Sequence, residues 1–303
     1  MPQSSNTSPQ LEQLMLFEDL PSPALLRSEL VSALLEHRYD DASRGLQDLL
    51  DSGHPDGPAF AAVLKALATL RGIQGRPDGG QGDADQAVSL MEGLIQQFRA
   101  LVGEHVDSFA RTLWAALASQ FAHLPFSDDT FKAHAGWMHL QAQEPRLAWA
   151  AWAGVDAGRV SQEVVCALVF AGFGADGVET GWGPLCWYAW RWPETTRELI
   201  RRVGDADITA LERMFTRECD LTMDWFPAWA MTQETGLSVF LRRAIGERGA
   251  EIHTSAQQCA IAVCDLVIAE RGGWLVTEKR IRLQAMNAWV YSEYMQTVAR
   301  RTR

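Results

Sequence analysis

Alternation of apolar and polar residues at strand period is almost missing from this 303-residue chain. Without it there is little from which to build half-buried strands, which argues against a sheet-based fold. The one tempting stretch, "GGWLVTE" (272–278), is too short to found a sheet. Apolar runs long enough to cross a bilayer are also missing, so no transmembrane helix is expected. The five cysteines, Cys166, Cys186, Cys219, Cys259 and Cys264, form no CxxC pair. An odd number scattered through apolar runs reads as reduced, buried thiols. Lysine is scarce: only Lys65, Lys132 and Lys279 accompany the arginines. Arginine makes planar, bidentate pairs with carboxylates, although genome composition accounts equally for the bias. With a formal charge of −11 the chain offers no clustered positive charge for phosphates, which argues against general nucleic-acid binding. The opening "MPQSSNTSPQ" has neither a charged nor an apolar signal region, so a cytoplasmic protein is expected.

What the chain does have is apolar mass at helical spacing. Hydrophobic residues make up 47% of it, enough for a substantial core, and twelve of them are tryptophan. Val88, Met91, Ile95, Phe98 and Val102 repeat at 3-4-3-4, and Val106, Phe109, Leu113, Leu117 and Phe121 continue the pattern. Phe60, Val63, Leu64, Leu67 and Leu70 predict a helix over 58–71, with Pro58 at its first position. "RGIQGRPDGGQGDADQ" reads as a flexible glycine-rich connection over 72–86. Ala42, Leu46, Leu49 and Leu50 fall on one face of a further helix. Charge is uneven: residues 1–150 carry 10 basic and 19 acidic side chains, residues 151–303 carry 17 and 19.

Residues 181–194, "GWGPLCWYAWRWPE", hold four tryptophans and a tyrosine. A helix over 184–192, opened by Pro184, places Trp187 and Trp190 with Cys186 on one face. Tyr188 and Trp192 then lie nearly opposite. Such a helix is apolar all round, which predicts burial between neighbours. "CAIAVCDLVIA" (259–269) behaves the same way, with Asp265 its lone charge. The tryptophans are therefore read as core. A ligand-lining patch is the alternative, and a membrane-surface patch would require basic companions that are missing.

Two resemblances stand out. Residues 25–55, with Tyr39, Ala42, Leu46 and Leu49 followed by Pro55, resemble a tetratricopeptide-repeat helical hairpin. In that family a small alanine allows close helix approach and a proline ends the second helix. Here His37 stands where a turn glycine is usual, the proline comes one position late, and no second copy follows at a 34-residue period. The resemblance implies stacked antiparallel helical pairs and a binding surface, not a particular activity. "QLMLF" is similar to the bacterial sliding-clamp-binding peptide, which implies docking through Gln13, Leu14, Leu16 and Phe17. Packing of that segment on the first helices is the competing reading.

Motifs for chemistry fall short. "GFGADG" (172–177) is a literal GxGxxG, but Gly181, Gly183 and Pro184 are expected to break the helix that a dinucleotide loop must open. It is read as a glycine-rich connection between helices. His134 and His139 are five apart and do not share the one-turn spacing of zinc-binding helices; Asp128 and Asp129 are read as helix caps. Asp265 is expected to meet solvent or an arginine, with Arg242, Arg243, Arg280 and Arg282 as candidates.

The resulting expectation is an all-α protein of stacked antiparallel helical pairs. It is solenoid-like and tetratricopeptide-like at the N-terminal end, with a Trp-rich compact C-terminal portion. Residues 1–20 form a disordered tail with a short apolar peptide; residues 21–303 form one helical domain with a weak division near 125–145. The leading function is a non-catalytic interaction or scaffold protein whose partner is another protein. The alternatives are an all-α enzyme or small-molecule binder, and a replication or repair accessory protein docking on the clamp through Gln13–Phe17. The pocket candidates are Trp149, Trp152, Trp187, Trp190, Trp225, Trp229 and Asp265. No metal or cofactor site and no catalytic residue is predicted, and no membrane association is expected.

Overall fold

Among the described residues every regular element is a helix and none is a strand. The computed structural model describes residues 22–76, 79–246 and 254–301; the Gln13–Phe17 peptide lies outside them. No described helix is long and apolar enough to cross a membrane. The chain divides into two compact units, residues up to Gln120 and residues from Phe121 onward. This break lies just ahead of the division expected near 125–145.

The N-terminal unit is built from consecutive, pairwise-packed helices. These are α1 (Pro23–Leu35), α2 (Tyr39–Asp51), α3 (Gly57–Gln74), α4 (Gln81–Val102) and α5 (Val106–Gln120), with a 3-10 turn at Gly103–His105. Ser22 opens α1, its hydroxyl accepting the Leu25 N–H at 3.2 Å. Leu30 and Leu34 of α1 and Ala42 and Leu49 of α2 are buried. Leu50, expected on the same face, is 39% exposed, because one further residue rotates it 100° away. His37 holds the turn between α1 and α2 at φ 58°, a left-handed conformation that favours glycine. Its ring compensates: Nδ1 lies 2.8 Å from the Tyr39 hydroxyl, and the imidazole stacks on Phe109 at 4.9 Å. The connection expected over 72–86 is shorter than read. Gly72 ends inside α3 and Gly82 starts inside α4, since neighbouring apolar residues make helical burial worth more than a glycine costs.

The C-terminal unit follows a different scheme. Its helices are α6 (Ala135–Gln141), α7 (Pro145–Ala151), α8 (Gln162–Asp176), α9 (Val178–Arg191), α10 (Pro193–Val203), α11 (Ala206–Glu218), α12 (Phe226–Gln233), α13 (Leu237–Ile245), α14 (Ser255–Arg271), α15 (Thr277–Met286) and α16 (Ala288–Arg301). Helix α9 packs on α8, α10 and α13; α14 packs on α12, α13 and α15. These are the two helices expected to be apolar all round, and each is largely buried.

Three expectations fail here for one reason. Pro184 sits inside α9 rather than opening a helix, Gly181 and Gly183 are also helical, and "GFGADG" mostly belongs to α8. Only Gly177, at φ 66°, turns the chain between α8 and α9. The glycines are contact points between helices. A Cβ on Gly172 would stand 2.8 Å from the Gly181 Cα, and one on Gly183 would strike Ala244 of α13. Close packing over a long shared face outweighs the local cost of two glycines and a proline. "GGWLVTE" is likewise no strand: it spans the end of a turn and the start of α15.

Candidate binding cavity in the C-terminal unit

A cavity of about 690 Å³ opens between the 152–159 loop, α9 and α13. That volume is in the range of small-molecule sites. Its apolar wall comes from Trp149, Trp152, Trp187 and Phe240. Trp152 is held flat: its indole lies against Gly136, where a Cβ would come within 2.5 Å of Cε2, and is parallel to the His134 ring. Its buried Nε1–H has no hydrogen-bond partner. Trp187 is backed by the edge of Trp190, with ring centroids 5.2 Å apart.

The loop at the cavity rim is pinned by Arg191, the last residue of α9. Arg191 Nη1 donates to the carbonyls of Val160 at 2.7 Å and Ala157 at 3.1 Å. Asp156 Oδ1 accepts the Gly158 N–H at 2.9 Å, closing a tight turn against Trp187. This explains the glycine: a Cβ at 158 would lie 3.2 Å from the Trp187 ring. The next turn down, Ser161 is held by Asp128, whose Oδ2 accepts its N–H at 3.0 Å and Oδ1 its hydroxyl at 2.7 Å. Asp128 therefore anchors the residue that opens α8. It does not cap α6. That helix is opened by His134, whose Nδ1 accepts the Gly136 N–H at 3.1 Å.

Charged groups line the cavity in opposed pairs. Arg243 of α13 is ion-paired with Glu179 of α9, and Arg159 Nε lies 3.4 Å from Asp156. The Thr180 hydroxyl donates to the Gly172 carbonyl at 2.5 Å, leaving its oxygen to accept from a ligand. The walls combine tryptophan and phenylalanine side chains with two ion pairs and a threonine hydroxyl.

Of the sequence-predicted residues, Trp149, Trp152 and Trp187 meet at this cavity. Trp190 supports it from behind. Trp229 is fully buried and packs on Phe215 with centroids 5.4 Å apart, and Trp225 is half-buried; neither lines the cavity. Asp265 faces Arg242 at 3.8 Å, away from the slot. Arg243, a candidate partner of Asp265, pairs with Glu179 instead. Phe240, Glu179 and Asp156 were not singled out by sequence reasoning. Phe240 carries an ordinary core signal, and the two acids are indistinguishable from surface charges until the helices are placed.

The remaining reactive side chains are subdued. Burial pushes the Cys259 and Cys264 thiols up to about 12, and Cys219 likewise, with Glu293 and Glu218 adding to the effect. Thiolate chemistry near neutral pH is thereby suppressed at these positions. His139 lies 2.8 Å from Glu144, a local pair. Among the described residues no group of three His, Cys, Asp or Glu side chains is placed to hold a metal. No family model, curated protein or solved structure matches the chain.

Proposed function

We propose that the C-terminal unit binds a small, planar, largely apolar molecule between Trp149, Trp152 and Trp187. The carrying observation is the cavity itself: Trp149 and Trp152, one helical turn apart, meet Trp187 from a later helix around about 690 Å³ of open space. A core closed by side chains would fill that space at interior packing density. Three hydrogen bonds, two from Arg191 and one to Asp156, fix the loop that forms the rim. The paired charges would orient a ligand and the tryptophan side chains would supply apolar contact. The test is titration of the full chain with 2-naphthol, read by quenching of tryptophan fluorescence. Saturable quenching that is lost in Trp187→Ala, with the helix content unchanged, is expected. Quenching that persists unaltered in that variant would refute the reading.

Protein interaction is the second reading, favoured by a separate observation. Trp274 is 66% exposed, Leu275 96% and Ile281 62%, all at or just after the turn between α14 and α15. Adjacent exposed apolar side chains of this size mark association sites. Replacing Trp274 and Leu275 together by serine should abolish co-purification of a stoichiometric partner. A partner retained by that variant would place its binding elsewhere.

A further inference from the structure

One hydroxyl in the cavity wall has its proton already committed, and that constrains what a ligand offers it. Thr180 of α9 lines the cavity, and its hydroxyl donates to the Gly172 carbonyl of α8 at 2.5 Å. Resting on the cavity reading above, we propose that the ligand is an uncharged aromatic molecule that donates a hydrogen bond, from a hydroxyl or a ring N–H, to the Thr180 oxygen.

A free hydroxyl rotates to act as donor or acceptor, whichever its neighbour needs. Packing removes that choice at Thr180. Helices α8 and α9 touch through backbone at this point: a Cβ on Gly172 would lie 2.8 Å from the Gly181 Cα and 3.0 Å from the Thr180 carbonyl carbon. The contact holds the Thr180 side chain beside a carbonyl eight residues back in the chain. With its proton held there, the oxygen presents only lone pairs to the cavity. A ligand that accepts would face those lone pairs or break the bond between the helices; a ligand that donates fits as the wall stands.

The ionic side chains of the lining answer one another. Glu179 pairs with Arg243 and Asp156 with Arg159, so their formal charges cancel. All four are about half exposed or more, and water serves the polar atoms that the pairs leave over. A charged ligand would give up its hydration and meet as many like charges as opposite ones, which favours a neutral one. The buried Trp152 Nε1–H does not reverse the preference. It is sealed against Gly136, out of reach of an acceptor in the cavity.

Matched probes isolate the donated hydrogen: 2-naphthol against 2-methoxynaphthalene, and indole against 1-methylindole, each titrated into the full chain by calorimetry. Each donor is expected to bind about 5- to 10-fold tighter than its methylated partner, the worth of one hydrogen bond out of water. The pair with the larger ratio identifies hydroxyl or ring N–H as the donor. Methylation also adds bulk, and Thr180→Val separates the two effects by removing the acceptor while keeping a branched side chain. There the advantage should vanish, whereas Thr180→Ser should keep it; circular dichroism checks that both variants fold. 2-Naphthoate should bind more weakly than 2-naphthol, and tighter binding would overturn the neutral class. If the donors bind no tighter than their methylated partners, or if the advantage survives Thr180→Val, the Thr180 assignment is overturned and the cavity stands. The first of these is read on the unaltered chain, so it decides even where the valine variant does not fold. If none of the probes binds, the cavity reading fails and this inference with it.

Discussion

The two units solve the same packing problem in different ways. In the N-terminal unit, paired helices bury stripes of leucine and alanine, Leu30 and Leu34 of α1 and Ala42 and Leu49 of α2, each placed by simple helical spacing. In the C-terminal unit, α8 and α9 meet through backbone, at Gly172 and Gly181, and α9 meets α13 at Gly183. The difference follows from what each must bury. Leucine and alanine stripes interdigitate at ordinary helix separation. Trp182, Trp190 and Trp229 are far larger side chains, and all three are buried in this unit. The comparison teaches that glycine marks the closest helix contacts of the C-terminal unit, and Gly183 and Ala244, where α9 meets α13, also line the cavity.

Glycine substitution gives the sharpest contrast. Gly172→Ala puts a methyl 2.8 Å from backbone that cannot rotate away, and should lower stability by about 2–3 kcal/mol. Gly45→Ala, in α2, meets only Leu30 at 3.7 Å, and should raise stability by about 0.5–1 kcal/mol through helix propensity. Thermal denaturation followed by circular dichroism reads both. A Gly172→Ala protein that melts at the wild-type temperature would end the claim that α8 and α9 touch through backbone.

Acid sensitivity provides the smaller test, because each unit holds one histidine partly or wholly out of water, His37 half-buried and His134 buried. Burial lowers the pKa of His37 and of His134 below the ordinary value. The unfolded chain then takes up protons near pH 6.5 more readily than the folded one. Stability from these groups is present above that pH and lost as pH falls through it. For His134 the proton would also occupy Nδ1, which accepts the Gly136 N–H. His134→Asn keeps a capping acceptor and removes the titration. Its stability should change less between pH 7 and pH 5 than that of the wild type. His37→Asn, tolerant of the left-handed turn, should flatten the same profile without touching a cap. Equal slopes in wild type and both variants would show that neither histidine is protonated on unfolding.

Helical class was readable because it depends on period alone. The 3-4 repeats of Val88 to Val102 and of Val106 to Phe121 need no tertiary information, and neither does the all-round apolarity of 259–269. Local breakers were misread for the opposite reason. Gly181, Gly183 and Pro184 cost helix stability locally, and only the faces of α8 and α13 against α9 reverse the balance. Trp187 and Trp190 share a helical face in sequence, yet one lines the cavity and the other supports it.

By itself the sequence determined the helices, the two buried ones among them, and the placing of tryptophan in the interior. These are properties of spacing and hydrophobicity, carried by residues within a few turns of each other. Tertiary structure alone decided which tryptophans face space, and that Arg243 joins Glu179 while Arg242 faces Asp265. Those outcomes depend on where one helix sits against another. Helix position is set by the collective packing of many side chains, which no local pattern records.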